Sequence, residues 1–269
     1  MIRALPALAL LLAGCAGGGS APGAGDGPTI VSLNPCTDAI LAEVTGPDQL
    51  LAISHYSKDP QASSMQPEQA ARFASTGGTV EEVLALDPDV VVASTFLAPA
   101  TRAALEKLGV RVVTFGGTSS VEESLQQVRD LAALAGKPAR GEQLVARIEE
   151  ALKSAAADDE TIEAALWQPG GIVPGEASLV SDLLRRTGFS AYGAARGMAQ
   201  ADYLSLEQVV ADPPKVLLVA GSEAGQTHPV LDRIGGMRRE SFDTRLIYCG
   251  GPTIIRAAER LAAIRRASS

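Results

Sequence analysis

"TVEEVLALDPDVVV" (residues 79–92) and "SLEQVVADPPKVLL" (residues 205–218) match position by position at an offset of 126 residues, 79 to 205. Each opens on a hydroxyl residue suited to cap a helix and carries a glutamate two residues on. Each then continues along an apolar helix face, breaks at proline and runs into a short apolar stretch with the composition of a buried strand. Helix followed by buried strand is the unit of an α/β sheet. Its recurrence at about half the length of the body predicts two lobes of similar build.

The surrounding chain follows the same grammar. "TIVSL" (29–33) reads as a strand, followed by a helix from Pro35 to Val44 with Asn34 as its N-cap. "LLAI" is the next strand, and the helix at 79 is opened by a capping box, Thr79-x-x-Glu82. "VVVAS" and "VRVVTF" are strands on either side of a helix from Pro99 to Leu108. Apolar runs alternating with helices indicate parallel strands covered on both faces. The alternation then pauses. A helix from Ser120 to Ala135, with Ser120-x-x-Glu123 as capping box, ends at Gly136, and a second begins at Pro138 and runs to about Ala157. The second would span about 28 Å with no strand to return to, as a strut between lobes would. Beyond it come "AALW", a helix from Ser178 to Arg186, "SLEQVVA", "KVLLVA", "RLIYC" as a strand, and a last helix from Thr253 to Arg266. The predicted fold is α/β: two similar lobes with mainly parallel sheets, joined by one long connecting helix, with a ligand cleft between the lobes. The segments are 29–135 for the first lobe, 136–160 for the connecting helix and 161–269 for the second lobe.

The first 28 residues stand apart. Arg3 precedes a short apolar segment, Ala4 to Leu12, which is too short to span a bilayer and suits an export signal. "LLAGC" is similar to a bacterial lipobox, which makes Cys15 the expected lipidation site of a signal peptide covering residues 1–15; a plain signal peptide is the alternative. Residues 16–28 are nearly all Gly, Ala, Ser and Pro and read as a flexible leash, with a reach of about 20 Å. The expected location is the periplasm, on a membrane lipid anchor. A net charge of −8 with no long basic run argues against nucleic acid as a partner.

Catalytic motifs are missing: there is no G-x-S-x-G, Walker A loop, H-E-x-x-H or C-x-x-C. A cysteine-dependent hydrolase would have to use Cys36, at a helix start, yet Asp38 opposes its thiolate and nothing orients His55 or His228 as its base. The chain is therefore expected not to be an enzyme, with the hydrolase or a non-transport surface lipoprotein as alternatives. His55 and His228 are the only histidines, too few for a bare-metal cage, so no metal site is expected.

The order and spacing of "TIVSLNPCTDAILAEV", "LLAISHYSKDP", "TVEEVLALDPDVVVAS", "LEKLGVRVVTF", "GEASLVSDLLRRTGF" and "SLEQVVADPPKVLLVAG" resemble the periplasmic binding proteins of vitamin B12 and ferric-siderophore ABC importers. The resemblance covers nearly the whole body. It implies a monomeric receptor that holds a metal chelate (ferric siderophore, cobalamin or heme) between its lobes and delivers it to an ABC permease of the inner membrane. It also implies permease docking through one glutamate per lobe, which here are Glu81 and Glu207. The protein itself needs no cofactor, since any iron or cobalt arrives with the ligand.

In open α/β sheets, ligands meet the loops beyond the carboxyl ends of the strands. The loops so placed are 34–37, 54–58, 94–96, 116–119, 167–169, 222–228 and 249–253. They nominate Asn34, Cys36, His55, Tyr56, Trp167, His228 and Cys249 as ligand-binding residues, with Arg256 and Arg196 as partners for ligand carboxylates. Tyr56 matches a tyrosine of the vitamin B12 binders, whereas "GGPT" (250–253) stands where those proteins carry a bulkier, more polar lip. Cys36 and Cys249 are expected near one cleft. A disulfide across it, a shared soft-metal site and two small buried fillers all remain open.

Overall fold

The computed structural model describes residues 27–157, 160–199 and 201–268; Cys15, the signal peptide and residues 16–26 of the leash lie outside the described residues. In the first lobe the apolar runs form β1 (Ile30–Ser32), β2 (Leu50–Ser54), β3 (Ser75–Thr76), β4 (Val90–Ser94) and β5 (Arg111–Phe115). Between them lie α1 (Pro35–Val44), α2 (Pro67–Ala70), α3 (Val80–Ala85) and α4 (Pro99–Lys107). The sheet order is β3-β2-β1-β4-β5, and every pairing is parallel.

Two helices follow without a strand, α5 (Val121–Leu134) and α6 (Pro138–Ala155). The second lobe contains β6 (Ile162–Trp167), β7 (Ile172–Pro174), α7 (Leu179–Arg186), β8 (Phe189–Ala191), α8 (Tyr192–Ala195) and β9 (Ala201–Tyr203). It continues with α9 (Leu206–Ala211), β10 (Val216–Val219), β11 (Arg238–Ser241) and α10 (Thr253–Ser268). Its main sheet, β11-β10-β6-β8, is also parallel, and β7 and β9 form a separate antiparallel pair. The two-lobed parallel α/β architecture predicted from the repeat is thus the observed one.

Helix starts follow the expected caps. Asn34, Thr79, Ser120, Ser178 and Ser205 each accept a backbone N–H of the first turn through the side chain. The two predicted capping boxes form only by half. Glu82 accepts from the Thr76 hydroxyl and Glu123 from the Ser119 N–H, so neither reaches back to its own N-cap. The reciprocal box forms instead at Ser205 and Gln208 in the second lobe.

One predicted strand is absent. "RLIYC" makes a short 3-10 turn at Thr244–Leu246, because the Asp243 carboxylate accepts the Arg245 N–H and pairs with its guanidinium. The edge strand is β11, whose sequence RRES has no apolar run to announce it. Leu246 is buried, but by docking onto the core between the lobes rather than by pairing in a sheet.

Strand parity decides which side of each sheet a residue serves. Ile30, Val90 and Val92 face one shared core, which also receives Ala164, Leu166, Val216 and Leu218 from the second sheet. Val31, Val91 and Ala93 face an outer core of the first lobe, and Ala165, Trp167, Leu217 and Val219 an outer core of the second. The shared core continues through α1, α5, α6, α7 and α10, each large apolar side chain contributing roughly 1.5–3 kcal/mol. The long helix α6 therefore does not stand alone; it packs against α5, α10 and α1.

The lobes are tied at several further points. The Val121 N–H donates to Asp182 at 2.9 Å, and Arg186 of α7 pairs with Glu122 of α5. Arg256 of α10 donates to the Ser64 carbonyl. At the edge of the described chain, Gln49 binds both the Pro28 and Ala135 carbonyls, which docks the end of the leash onto the first lobe.

Candidate functional site

A cavity of about 600 Å³ opens between the lobes. The first lobe lines it with loops that leave the carboxyl ends of β1, β4 and β5: Asn34 and Cys36, Ser94 and Phe96, and residues 116–119. In the order β3-β2-β1-β4-β5 the connections turn in opposite directions between β1 and β4, which is where an open sheet leaves a crevice. The second lobe adds residues 177–180 at the start of α7, Ala201 of β9, and residues 247–250. Concavities of about 650 and 770 Å³ lie elsewhere, but they are lined by helix flanks and by the far ends of strands.

Cys36 and Cys249 form a disulfide in the wall of this cleft, with Cα atoms 5.1 Å apart. That resolves the question of the two thiols and leaves Cys36 no free sulfur for nucleophilic attack. The neighbouring chain is equally fixed. The Gly251 N–H donates to the buried Ser124 hydroxyl at 2.7 Å. Gly251 has φ +59°, and a Cβ there would come within 2.6 Å of the Ile40 side chain. A Cβ on Gly250 would lie 2.3 Å from the Ser124 hydroxyl oxygen. The segment "GGPT" is small because it is threaded against α1 and α5 of the other lobe.

Of the residues nominated from sequence, Asn34, Cys36 and Cys249 line the cleft; the others do not. Trp167 is 3% exposed in the outer core of the second lobe, and its indole N–H donates to the Leu204 carbonyl at 2.9 Å. The antiparallel pair β7–β9 brings Val173 and Leu204 over that ring. His228 is the cap of a short 3-10 turn and accepts the Val230 N–H through Nδ1. Arg196 sits over the Tyr192 ring and pairs with Glu163 and Asp212. Arg256 is held on the Ser64 carbonyl, where burial and then the nearby Arg245 lower its pKa. His55 and Tyr56 are exposed and touch each other at a tilt, ring centroids 4.0 Å apart, beyond β2 on the side of the sheet away from β4 and β5.

The aromatic rings in the cleft are Phe96, 91% exposed, from the first lobe and Tyr248, 43% exposed, from the second. Sequence reasoning misses both as individual residues. Phe96 could have been found as the one large apolar side chain in a loop already marked as ligand-facing. Tyr248 is hidden by the strand-like composition of its segment.

Asp38 belongs to the core of the first lobe rather than to the chemistry of the site. It is fully buried, accepting the Ser54 N–H at 2.8 Å and the Ser57 hydroxyl at 2.6 Å through Oδ2. It thereby holds the turn that carries His55 and Tyr56. Burial raises its pKa from 3.8 to about 7, against the lowering effect of these hydrogen bonds.

Glu81 and Glu207 occupy the same place on equivalent helices, α3 and α9, in the first turn and exposed. Among the described residues neither forms an ion pair. The described residues contain no group of three or more His, Cys, Asp or Glu placed to hold a metal ion, and no helix long and apolar enough to cross a membrane.

Two parallel α/β lobes, a helix-backed core common to both and a cleft fed by loops from each define a bilobed solute-binding protein. The chain belongs to the periplasmic binding protein family, whose model matches residues 30–238. This is a family of binding proteins that deliver solutes to permeases, not of enzymes. Solved structures of the same fold include the periplasmic heme-binding protein RhuT of Roseiflexus sp. RS-1, at TM-score 0.67 and 21% identity over 90% of this chain and 98% of that one. The vitamin B12 binding protein BtuF of Vibrio cholerae matches at TM-score 0.67 and 18% identity over 89% and 97% of the two chains. The heme binding protein HutB of Vibrio cholerae matches at TM-score 0.71 and 14% identity over 88% and 98%. A search of curated protein sequences finds no match.

Proposed function

We propose that this protein is the solute receptor of an ABC importer, capturing a metal chelate of the siderophore, cobalamin or heme class and handing it to an inner-membrane permease. The observation that carries this reading is the cleft of about 600 Å³ formed by loops of both lobes at the carboxyl ends of the first sheet's strands. Its volume falls within the range of small-molecule sites and suits a bulky ligand held partly exposed. Residues 29–135 and 161–269 act as the lobes, with 136–160 connecting them. Glu81 and Glu207, one per lobe and without an ion pair among the described residues, would engage arginines of the permease and set register as much as affinity. Lipidation at Cys15, with residues 16–28 as leash, would keep the monomer beside that permease.

A thermal-shift screen against cobalamin, heme and several ferric chelates tests the assignment. Ligand at about 100 times its Kd should stabilise the protein by about 2.7 kcal/mol. Absence of any shift across the whole set would count against a chelate receptor.

A further inference from the structure

We infer that the solute taken by this cleft is electrically neutral, an apolar-bodied molecule with amide or hydroxyl groups at its edge, and that chelates bearing carboxylates or catecholates are poor ligands. The inference deepens the reading of the cleft as the solute site and rests on it.

Among the described residues, none that lines the cleft carries a charged side chain. The polar groups it offers are amides and hydroxyls, from Asn34, Ser94, Thr118, Ser119, Gln127 and Tyr248, while the Ser178 hydroxyl is spent on the Gly175 carbonyl and the Ser181 N–H. Asn34 spends Oδ1 on the Cys36 N–H, which leaves its amide NH2 as a donor. Gln127 donates to the Gly116 carbonyl, which leaves its Oε1 as an acceptor. Phe96 and Tyr248 supply exposed ring faces from opposite lobes. Such a wall matches a ligand with an apolar face and a neutral polar rim.

The arginines bordering these segments are paired with carboxylates, and the acidic Glu123 and Asp202 there accept backbone N–H groups. Glu123 accepts the Ser119 N–H at 2.7 Å. Asp182 accepts the Val121 N–H and pairs with Arg186, which also holds Glu122. Arg185 pairs with Glu176 at 2.8 Å. Asp182 and Glu123 also answer the positive end of α5, so that helix start offers little to an anion. The arginines nominated as carboxylate partners, Arg196 and Arg256, are bound outside the cleft. An anionic chelate entering here would lose hydration without gaining a counter-charge.

The test is isothermal titration of the purified protein with two neutral chelates, cyanocobalamin and ferrichrome, and two anionic ones, hemin and ferric enterobactin, at low and high salt. At least one neutral chelate should bind with an affinity nearly independent of salt, and the anionic pair should bind at least about a hundredfold more weakly. Gln127→Lys, at a half-buried position of the cleft wall, should narrow that gap by about tenfold. An anionic chelate that binds more tightly than either neutral one, with affinity falling steeply in salt, overturns this inference and leaves the solute-binding reading standing. Heat from none of the four overturns both.

Discussion

Cys36, in the first turn of α1, is bonded to Cys249, just ahead of α10, across 213 residues of sequence. The bridge closes a loop that contains nearly all of both lobes, and its sulfurs lie in the wall of the cleft. With Gly251 bonded to Ser124 and wedged against Ile40, the last loop of the second lobe is fastened to the first lobe. The cleft is therefore held at its base, and large opening motions of the lobes are opposed there by a covalent link.

Removing the bridge should be costly. In the chain-entropy model a loop of this length contributes about 5 kcal/mol. Replacing Cys36 and Cys249 by Ala together is expected to lower stability by roughly 2–5 kcal/mol in denaturant unfolding. Non-reduced peptide mapping should recover the two cysteines in one linked species. Recovery of both as separate peptides would falsify the pairing.

Asp38 makes stability depend on pH in an unusual sense. Its folded carboxyl titrates at about 7 and its ordinary value is 3.8, so between them the folded protein keeps a proton that the unfolded chain has released. Stability should therefore fall as pH rises from about 4 to about 7 and level off above that, by on the order of 4 kcal/mol in total. Asp38→Asn retains an acceptor for Ser54 and Ser57 and should flatten that part of the curve, as read by urea unfolding across the pH range. An unchanged slope in the variant would assign the effect to other groups.

Trp167 and Phe96 should behave oppositely. Trp167→Ala opens a hole in the outer core of the second lobe and should cost about 3–5 kcal/mol. Phe96→Ala removes an exposed ring, should change stability by less than about 0.5 kcal/mol and should weaken chelate binding. Paired unfolding and titration experiments separate the two. A stable Trp167→Ala protein that had lost binding would show the tryptophan, not the phenylalanine, to be the ligand contact.

Glu81 and Glu207 are expected to matter only when the permease is present. Glu81→Ala or Glu207→Ala should each weaken association with the permease by about tenfold, or ~1.4 kcal/mol, with chelate affinity unchanged. Stimulation of permease ATPase activity in proteoliposomes is the readout. Equal stimulation by wild type and the double variant would exclude a docking role.

Local signals carried most of the architecture. Asn34-Pro35, Thr79, Ser120, Ser178 and Ser205 each mark a helix start by hydrogen bonds that span only a few residues, and the apolar runs at 90–94 and 216–219 are buried strands in matching positions. The family and the two-lobed fold were legible for that reason. The composition of the cleft was not, because it depends on sheet order and on how two lobes dock. Loops after β1, β4 and β5 share the crevice while the loop after β2, with His55 and Tyr56, lies outside it. Trp167 sits at a loop boundary by sequence, yet strand parity with Ala165 and the cover of β7–β9 turn it into core. RLIYC has the composition of a strand, but one Asp243–Arg245 pair and the pull of Cys36 on Cys249 make it a turn in the cleft wall. Sequence by itself determined most of the helices and buried strands, since backbone propensity and capping act over a few residues, but not the strand β11 or the turn at RLIYC. Tertiary structure alone decided which side chains meet in the cleft, since those contacts join residues as far apart as Cys36 and Cys249.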